Sequence, residues 1–251
     1  MKKTLLEMTQ DILTEMDSDE VNHIDDTVES QSVATIIKNC YYEILSNRNW
    51  PHMKKLVQLE SSNEVTKPNY LKLPENLKEL SLFKYDKAKE GSFSTAYHDV
   101  HYREPEAFLR LVSSRNLSNN DTTLVTDFSG VTMYIKNNQA PAYWTSFDDV
   151  YIVTSSYDKQ QDDTLQKSRS QAIAYLFPEW EHVDMYIPDL PAEAFSLLEE
   201  EAKSTAFFTL KQMPNQKAEQ KATRQNRWLS RKAWRAEGGV KFYNYGRKGR
   251  K

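Results

Sequence analysis

The chain has 251 residues, 39% hydrophobic and 12% aromatic, enough for one large domain or two modest ones with a real core; disorder throughout is excluded. Its formal net charge is −3, but 13 Lys or Arg from Lys211 to Lys251 stand against only Glu219 and Glu237, a local +11 that leaves −14 on the other 210 residues. No apolar run reaches the roughly 18 residues that span a bilayer, and Met1 to Thr4 leads into an amphipathic pattern, so a soluble protein without membrane contact, made in the cytoplasm, is expected.

Thr4 and Glu7 have the spacing of a capping box, and Leu5, Leu6, Ile12, Leu13 and Met16 form a stripe, so the chain opens with a helix that ends in the acidic stretch Asp17 to Glu20. A second helix starts at Asp26 and Thr27, with Val33, Ile36, Ile37, Cys40, Tyr41, Ile44 and Leu45 along one face. Cys40, the single cysteine, falls on that face and reads as a small buried hydrophobe; no intrachain disulfide or thiolate zinc site can form. The helix stops near Asn47 to Pro51, where Trp50 precedes a proline.

From about Lys54 to Asp189 the period changes to two. Leu124 to Phe128 and Val131 to Ile135 read as a hairpin around Ser129-Gly130, and Tyr143 to Phe147 pairs with Val150 to Val153 through Asp148-Asp149. Gln171 to Phe177 and Val183 to Ile187 also alternate, and Glu104-Pro105 opens one short helix carrying Phe108, Leu111 and Val112. Glu60 to Asn69, Ala88 to Asp99 and Ser155 to Asp163 are polar loops. After Asp189-Leu190-Pro191 a long helix carries Phe195, Leu198, Ala202, Ala206, Thr209 and Met213, widened by Phe207, Phe208 and Leu210; Pro214 interrupts it. A last helix, about Gln216 to Ala236, has a thin face of Ala218, Ala222, Leu229 and Ala233 beside Trp228 and Trp234, so it is marginal alone and must dock closely.

The expected fold class is α+β. An antiparallel helical bundle is formed by residues 1–52 and 189–237, a β-rich domain of residues 53–188 is inserted between them, and 238–251 is an extended arm.

Chemistry is sparse in this pattern. Six scattered glycines make no phosphate cradle, so no nucleotide cofactor is expected. His98 and His101, near Asp99 and Glu104, lack an indicated third ligand, so no metal is expected either. Carboxylate pairs such as Asp148 with Asp149, Asp162 with Asp163, or Glu179 with Glu181 are the only basis for a cell-wall hydrolase, and neighbours on a strand face opposite ways. No catalytic residue is assigned and a non-enzyme is expected. The strongest feature is the C-terminal segment. Arg224, Arg227, Arg231 and Arg235 form a cationic ridge beside Trp228 and Trp234, followed by Val240, Phe242, Tyr243, Tyr245, Arg247, Lys248, Arg250 and Lys251. Such a segment suits phosphate and base stacking, or docking on an acidic protein surface; the −14 elsewhere disfavours nucleic acid.

Two blocks, LEMTQDILTEMDSDEVNHIDDTVESQSVATIIKNCYYEILSNRNWP (Leu6 to Pro51, with its Arg48-Asn49-Trp50) and EEEAKSTAFFTLKQMPNQKAEQKATRQNRWLSRKAWR (Glu199 to Arg235), resemble the head-to-tail adaptor family of podoviruses, also called tail tubular protein A or portal-proximal connector. The resemblance implies a structural protein of the virion tail at the portal vertex, assembled in the host cytoplasm as a ring of roughly twelve identical copies. It implies binding to the portal protein, the tail nozzle and, less directly, tail fibres, with genomic DNA passing through the channel without specific binding. The docking extension it implies is Gly238 to Lys251; with Arg231, Trp234 and Arg235 from the last helix, Val240, Phe242, Tyr243, Tyr245, Arg247, Lys248, Arg250 and Lys251 are the expected portal-binding residues.

Overall fold

The structure, a computed structural model, describes residues 2–89, 93–116 and 120–236, excepting the side chains of 231–236. It is a mixed α+β protein that divides into two compact units, residues 1–53 with 178–251, and residues 54–177. The first unit contains α1 (Leu5–Glu15) and α2 (Val28–Ser46). The second contains β1 (Lys54–Val57), β2 (Glu60–Ser61), β3 (Tyr70–Lys72), β4 (Leu77–Asp86), β5 (Tyr97–Asp99), β6 (His101–Tyr102), α3 (Pro105–Ser113), β7 (Thr122–Thr126), β8 (Thr132–Lys136), β9 (Tyr143–Thr145), β10 (Tyr151–Thr154) and β11 (Ser170–Leu176). The chain then returns to the first unit with α4 (Phe195–Lys211) and α5 (Gln216–Ala236).

In the first unit, α4 packs against α1, α2 and α5. The capping box of α1 is formed: Glu7 N donates to Thr4 Oγ1 at 3.2 Å and Thr4 N to Glu7 Oε2 at 2.8 Å. Thr27 caps α2 in the same way with Ser30. Leu5, Ile12, Leu13, Val33, Ile37, Tyr41 and Leu45 are all buried, as the helical spacing predicts. Cys40 is buried too, its thiol directed at Thr205 and pushed up to about 11 by burial.

The boundary of the β-rich unit lies at Phe177, eleven residues before the expected 188, because Val183 to Ile187 is not a strand. Instead it turns to satisfy the open end of α1, Tyr186 O accepting from Leu5 N at 2.8 Å and Asp184 O from Leu6 N at 3.1 Å. Asp184 also accepts from Ile24 N, and Trp180 stands between Tyr41 and Tyr186 at ring distances of 5.3 and 4.8 Å. The alternation of Val183, Met185 and Ile187 is genuine, but those side chains face solvent. The apolar face of α4 also ends early: Gln212 adopts the left-handed conformation, and Thr209 and Met213 are exposed.

The β-rich unit is built on a four-stranded sheet in the order β1-β11-β4-β5 and a five-stranded sheet in the order β2-β3-β10-β9-β6, with β7 and β8 as a separate hairpin. Gly130, at φ +85, makes the turn of that hairpin, and Met133 and Ile135 are its inward residues. All strand pairs are antiparallel except β6 with β9. Phe83, Phe108, Ile135 and Ile152 belong to one core. Two segments expected to be loops carry strands, β2 and β5. The loop before β5 is pinned by Asp86, which accepts from Ala88 N and Ala96 N at 2.9 and 2.7 Å.

A charged network ties α1 to α4. Lys203, its side chain 7% exposed, donates to Glu15 at 2.7 Å and pairs with Glu199 at 3.0 Å; Lys3 bridges Asp11 and the same Glu199. Burial resists ionisation of Glu199, but hydrogen bonds from Lys203 and Lys3 outweigh it and hold the carboxyl below its usual range. Burial likewise opposes the charge of Lys203 and Lys3, and their carboxylate partners outweigh it and raise both. Glu199 therefore contributes stability that is complete above about 4.5 and lost as pH falls through its lower folded value. The two lysines contribute below about 10.5 and lose that contribution as pH rises through their higher folded values. Lys203→Ala should cost about 2–3 kcal/mol in urea titration at pH 7, less than a fully buried pair because Glu15 is half exposed, with the difference from wild type shrinking outside that window.

Candidate docking surface

Helix α5 is short of apolar contact. Ala218, Ala222 and Leu229 are the buried positions of its described side chains, worth on the order of 3–4 kcal/mol as apolar burial. Helices in proteins are held mainly by packing of an apolar face, so the polar contacts of this thin-faced helix matter more than usual. Asn215 Oδ1 accepts from Ala218 N at 3.1 Å at the start of the helix. Lys221 reaches Glu200 at 2.8 Å and Gln225 Nε2 reaches Ser196 Oγ at 3.4 Å, both on α4.

The most informative contact comes from Arg48, just beyond α2. Its guanidinium lies 4.8 Å from the Trp50 ring and donates through Nη2 to the Asn226 carbonyl at 3.4 Å and to the Asn226 side-chain oxygen. Trp50 is itself fixed, buried, with Nε1 donating to Ile44 O at 2.9 Å. Burial lowers the guanidinium's affinity for its proton, as desolvation does to any cation. The Arg48-Asn49-Trp50 motif is thus a clamp on α5, a role that sequence reasoning missed. The sequence holds Arg48 and Asn226 some 180 residues apart, and no local period links them. Close by, burial raises the Glu201 carboxyl, with Glu43 and Glu219 adding to the effect, so acidic groups from α2, α4 and α5 crowd the same junction.

The outer side of α5 carries Thr223, Arg224, Arg227 and Trp228 along a shallow hollow. Arg224 and Arg227 are exposed and have no carboxylate partner among the described residues; Trp228 is 50% exposed. Phe208 and Met213 add further exposed apolar surface on α4 and the α4–α5 connection. Arg231, Trp234 and Arg235 continue α5 by backbone position, but their side chains lie outside the described residues. Val240, Phe242, Tyr243, Tyr245, Arg247, Lys248, Arg250 and Lys251 lie outside them altogether.

Four of the residues weighed for a metal or for catalysis have partners in the structure. His98 Nε2 faces the Pro141 carbonyl, and Asp99 pairs with Lys84. Asp148 accepts from Val150 N and Tyr151 N within a turn, and Asp162 pairs with Arg169. Among the described residues no group of three or more His, Cys, Asp or Glu is placed to hold a metal, and no helix is long and apolar enough to cross a membrane. No protein-family model and no curated protein matches the chain.

Arg48→Met should remove the charged hydrogen bonds to Asn226 and cost about 1.5–3 kcal/mol. The loss should show as faster amide hydrogen exchange across 216–230, with little change in the β-rich unit. Arg48→Lys should rescue only part of it, since an ammonium lacks the planar fork.

Proposed function

We propose that the protein is a structural, non-catalytic head-to-tail adaptor of a short-tailed bacteriophage, in the virion tail at the portal vertex. In this reading it forms a ring below the portal, joins the head to the tail nozzle and continues the DNA channel. The N- and C-terminal helices make the bundle of the subunit, the β-rich unit is inserted between them, and residues 238–251 are the portal-docking arm. The resemblance of the two helical blocks supports this assignment. The observation that carries it is the state of α5, a helix with few buried apolar groups among its described side chains, whose exposed Arg224 and Arg227, without a carboxylate partner among the described residues, and half-exposed Trp228 precede the cationic, aromatic C-terminal sequence.

Rings and cations of this kind anchor protein interfaces, with the aromatic groups supplying binding energy and the charges supplying registry and encounter rate. Repetition around a ring then gives firm attachment from a weak contact per copy. Assembly takes place in the host cytoplasm, with tail fibres as a further candidate partner.

Removal of residues 238–251 should leave a folded protein that no longer cosediments with portal rings of the same virus, whereas the full chain cosediments. Cosedimentation by the shortened chain would contradict the arm. Binding of the full chain to unrelated duplex DNA should be negligible at moderate salt; tight binding that weakens steeply with salt would support nucleic-acid binding instead.

A further inference from the structure

Within the β-rich unit, α3, the β7–β8 turn and the β9–β10 loop surround a cleft of about 290 Å³. Its base holds the buried Met133 and Val153, and its walls include Leu109, Val131 and Phe147, which are 36% to 55% exposed. Exposed apolar side chains scattered singly are ordinary, but these converge on one concavity.

The charged groups that line the cleft are both carboxylates, Asp127 and Asp148. Tyr70 Oη donates to Asp127 Oδ1 at 2.7 Å, and Ser129 donates to Asp127 Oδ2 through N and Oγ at 2.9 and 2.6 Å. Burial first, and then Asp127 and Asp148, keep the Tyr70 proton in place, so the phenol remains committed to Asp127. Asp148 Oδ1 accepts from Val150 N and Tyr151 N at 3.0 and 2.9 Å, which leaves Oδ2 of this exposed carboxylate without a partner among the described residues. The Tyr70 and Ser129 donors are thus engaged within the cleft, while a carboxylate oxygen of Asp148 is not. The rim already holds one cation, Lys67 Nζ, 4.1 Å from the Phe128 ring centroid and paired with Glu64 at 2.7 Å; the other side of Phe128 is stacked on Tyr151 at 5.0 Å.

We infer that this cleft is a docking site for one basic side chain, arginine or lysine, carried beside an apolar residue on an exposed segment of a partner protein. The methylene stem packs on Leu109, Val131 and Phe147 while the charged end reaches Asp148. Sites for whole small molecules usually run from ~300 to 1,000 Å³ and mix donors with acceptors. This cleft sits at the bottom of that range, and the charged residues of its lining are two carboxylates, Asp127 and Asp148, which fits a basic side chain and disfavours anions. The inference is independent of the adaptor reading, since it needs neither a ring nor a portal.

A random heptapeptide library displayed for selection on the full-length protein, with the selected peptides resynthesised and titrated by fluorescence anisotropy, tests it. Selected peptides should share an Arg or Lys next to an aliphatic or aromatic residue. Asp148→Asn should weaken them about tenfold, while its amide oxygen still accepts from Val150 and Tyr151, so the turn survives. Leu109→Gln, at an exposed helix position, should weaken them too. Peptides without a basic residue, peptides that bind both variants as well as wild type, or no binders at all would overturn the inference. A synthetic peptide of residues 238–251 forms the second arm of the test: if it occupies the cleft more tightly than the selected peptides, the occupant is the chain's own C-terminal segment and the assignment to a partner falls.

Discussion

The helical unit depends on how α5 is held. A helix whose described buried positions are two alanines and one leucine cannot fix itself by apolar burial, so its footing rests on the Arg48 clamp, the Lys221–Glu200 pair and the Asn215 cap. Arg48 works because Trp50 is buried and hydrogen-bonded to Ile44 O, which gives the guanidinium a rigid plane to lie on. Beside it, burial raises the Glu201 carboxyl, and the neighbouring Glu43 and Glu219 add to the effect. A helix held by a few polar contacts is one that further contacts can stabilise, which is the property an assembly subunit requires at its docking end.

Elsewhere in that unit the footing is firmer. The Lys203 network joins α1 to α4, and the turn at 183–187 closes the open end of α1 with backbone carbonyls. These contacts leave α5 as the weak edge of an otherwise well-packed set of helices. The β-rich unit has its own core around Phe83, Phe108 and Ile135 and its own acceptor-rich cleft. Each unit thus presents a surface of different charge, cationic on α5 and anionic in the cleft.

The helices were legible because their period and caps are local. Thr4 with Glu7 and the α2 stripe needed only a few neighbouring residues to read. Strand β4 was not legible for an equally local reason. Register shifts opposite Ser81 and Lys78 place Leu77, Leu80, Phe83 and Tyr85 towards one core, a spacing that looks more helical than extended. Val183 to Ile187 misled in the opposite direction, because its alternation faces solvent and its backbone serves α1. Of the docking surface, the Arg224 and Arg227 ridge could be read from spacing alone, whereas the Arg48–Asn226 clamp could not, since it joins residues distant in sequence. The cleft escaped for the same reason: three separate loops and helices bring its walls together.

The central claim is that this subunit completes its structure in a ring against a viral portal. Electron microscopy of the full-length chain mixed with the portal of the same virus tests it most directly. The account predicts an added ring of density beneath each portal, with α5 at the portal-facing side. Bare portals beside monomeric protein, at concentrations high enough to saturate a micromolar contact (about −8 kcal/mol), would contradict it.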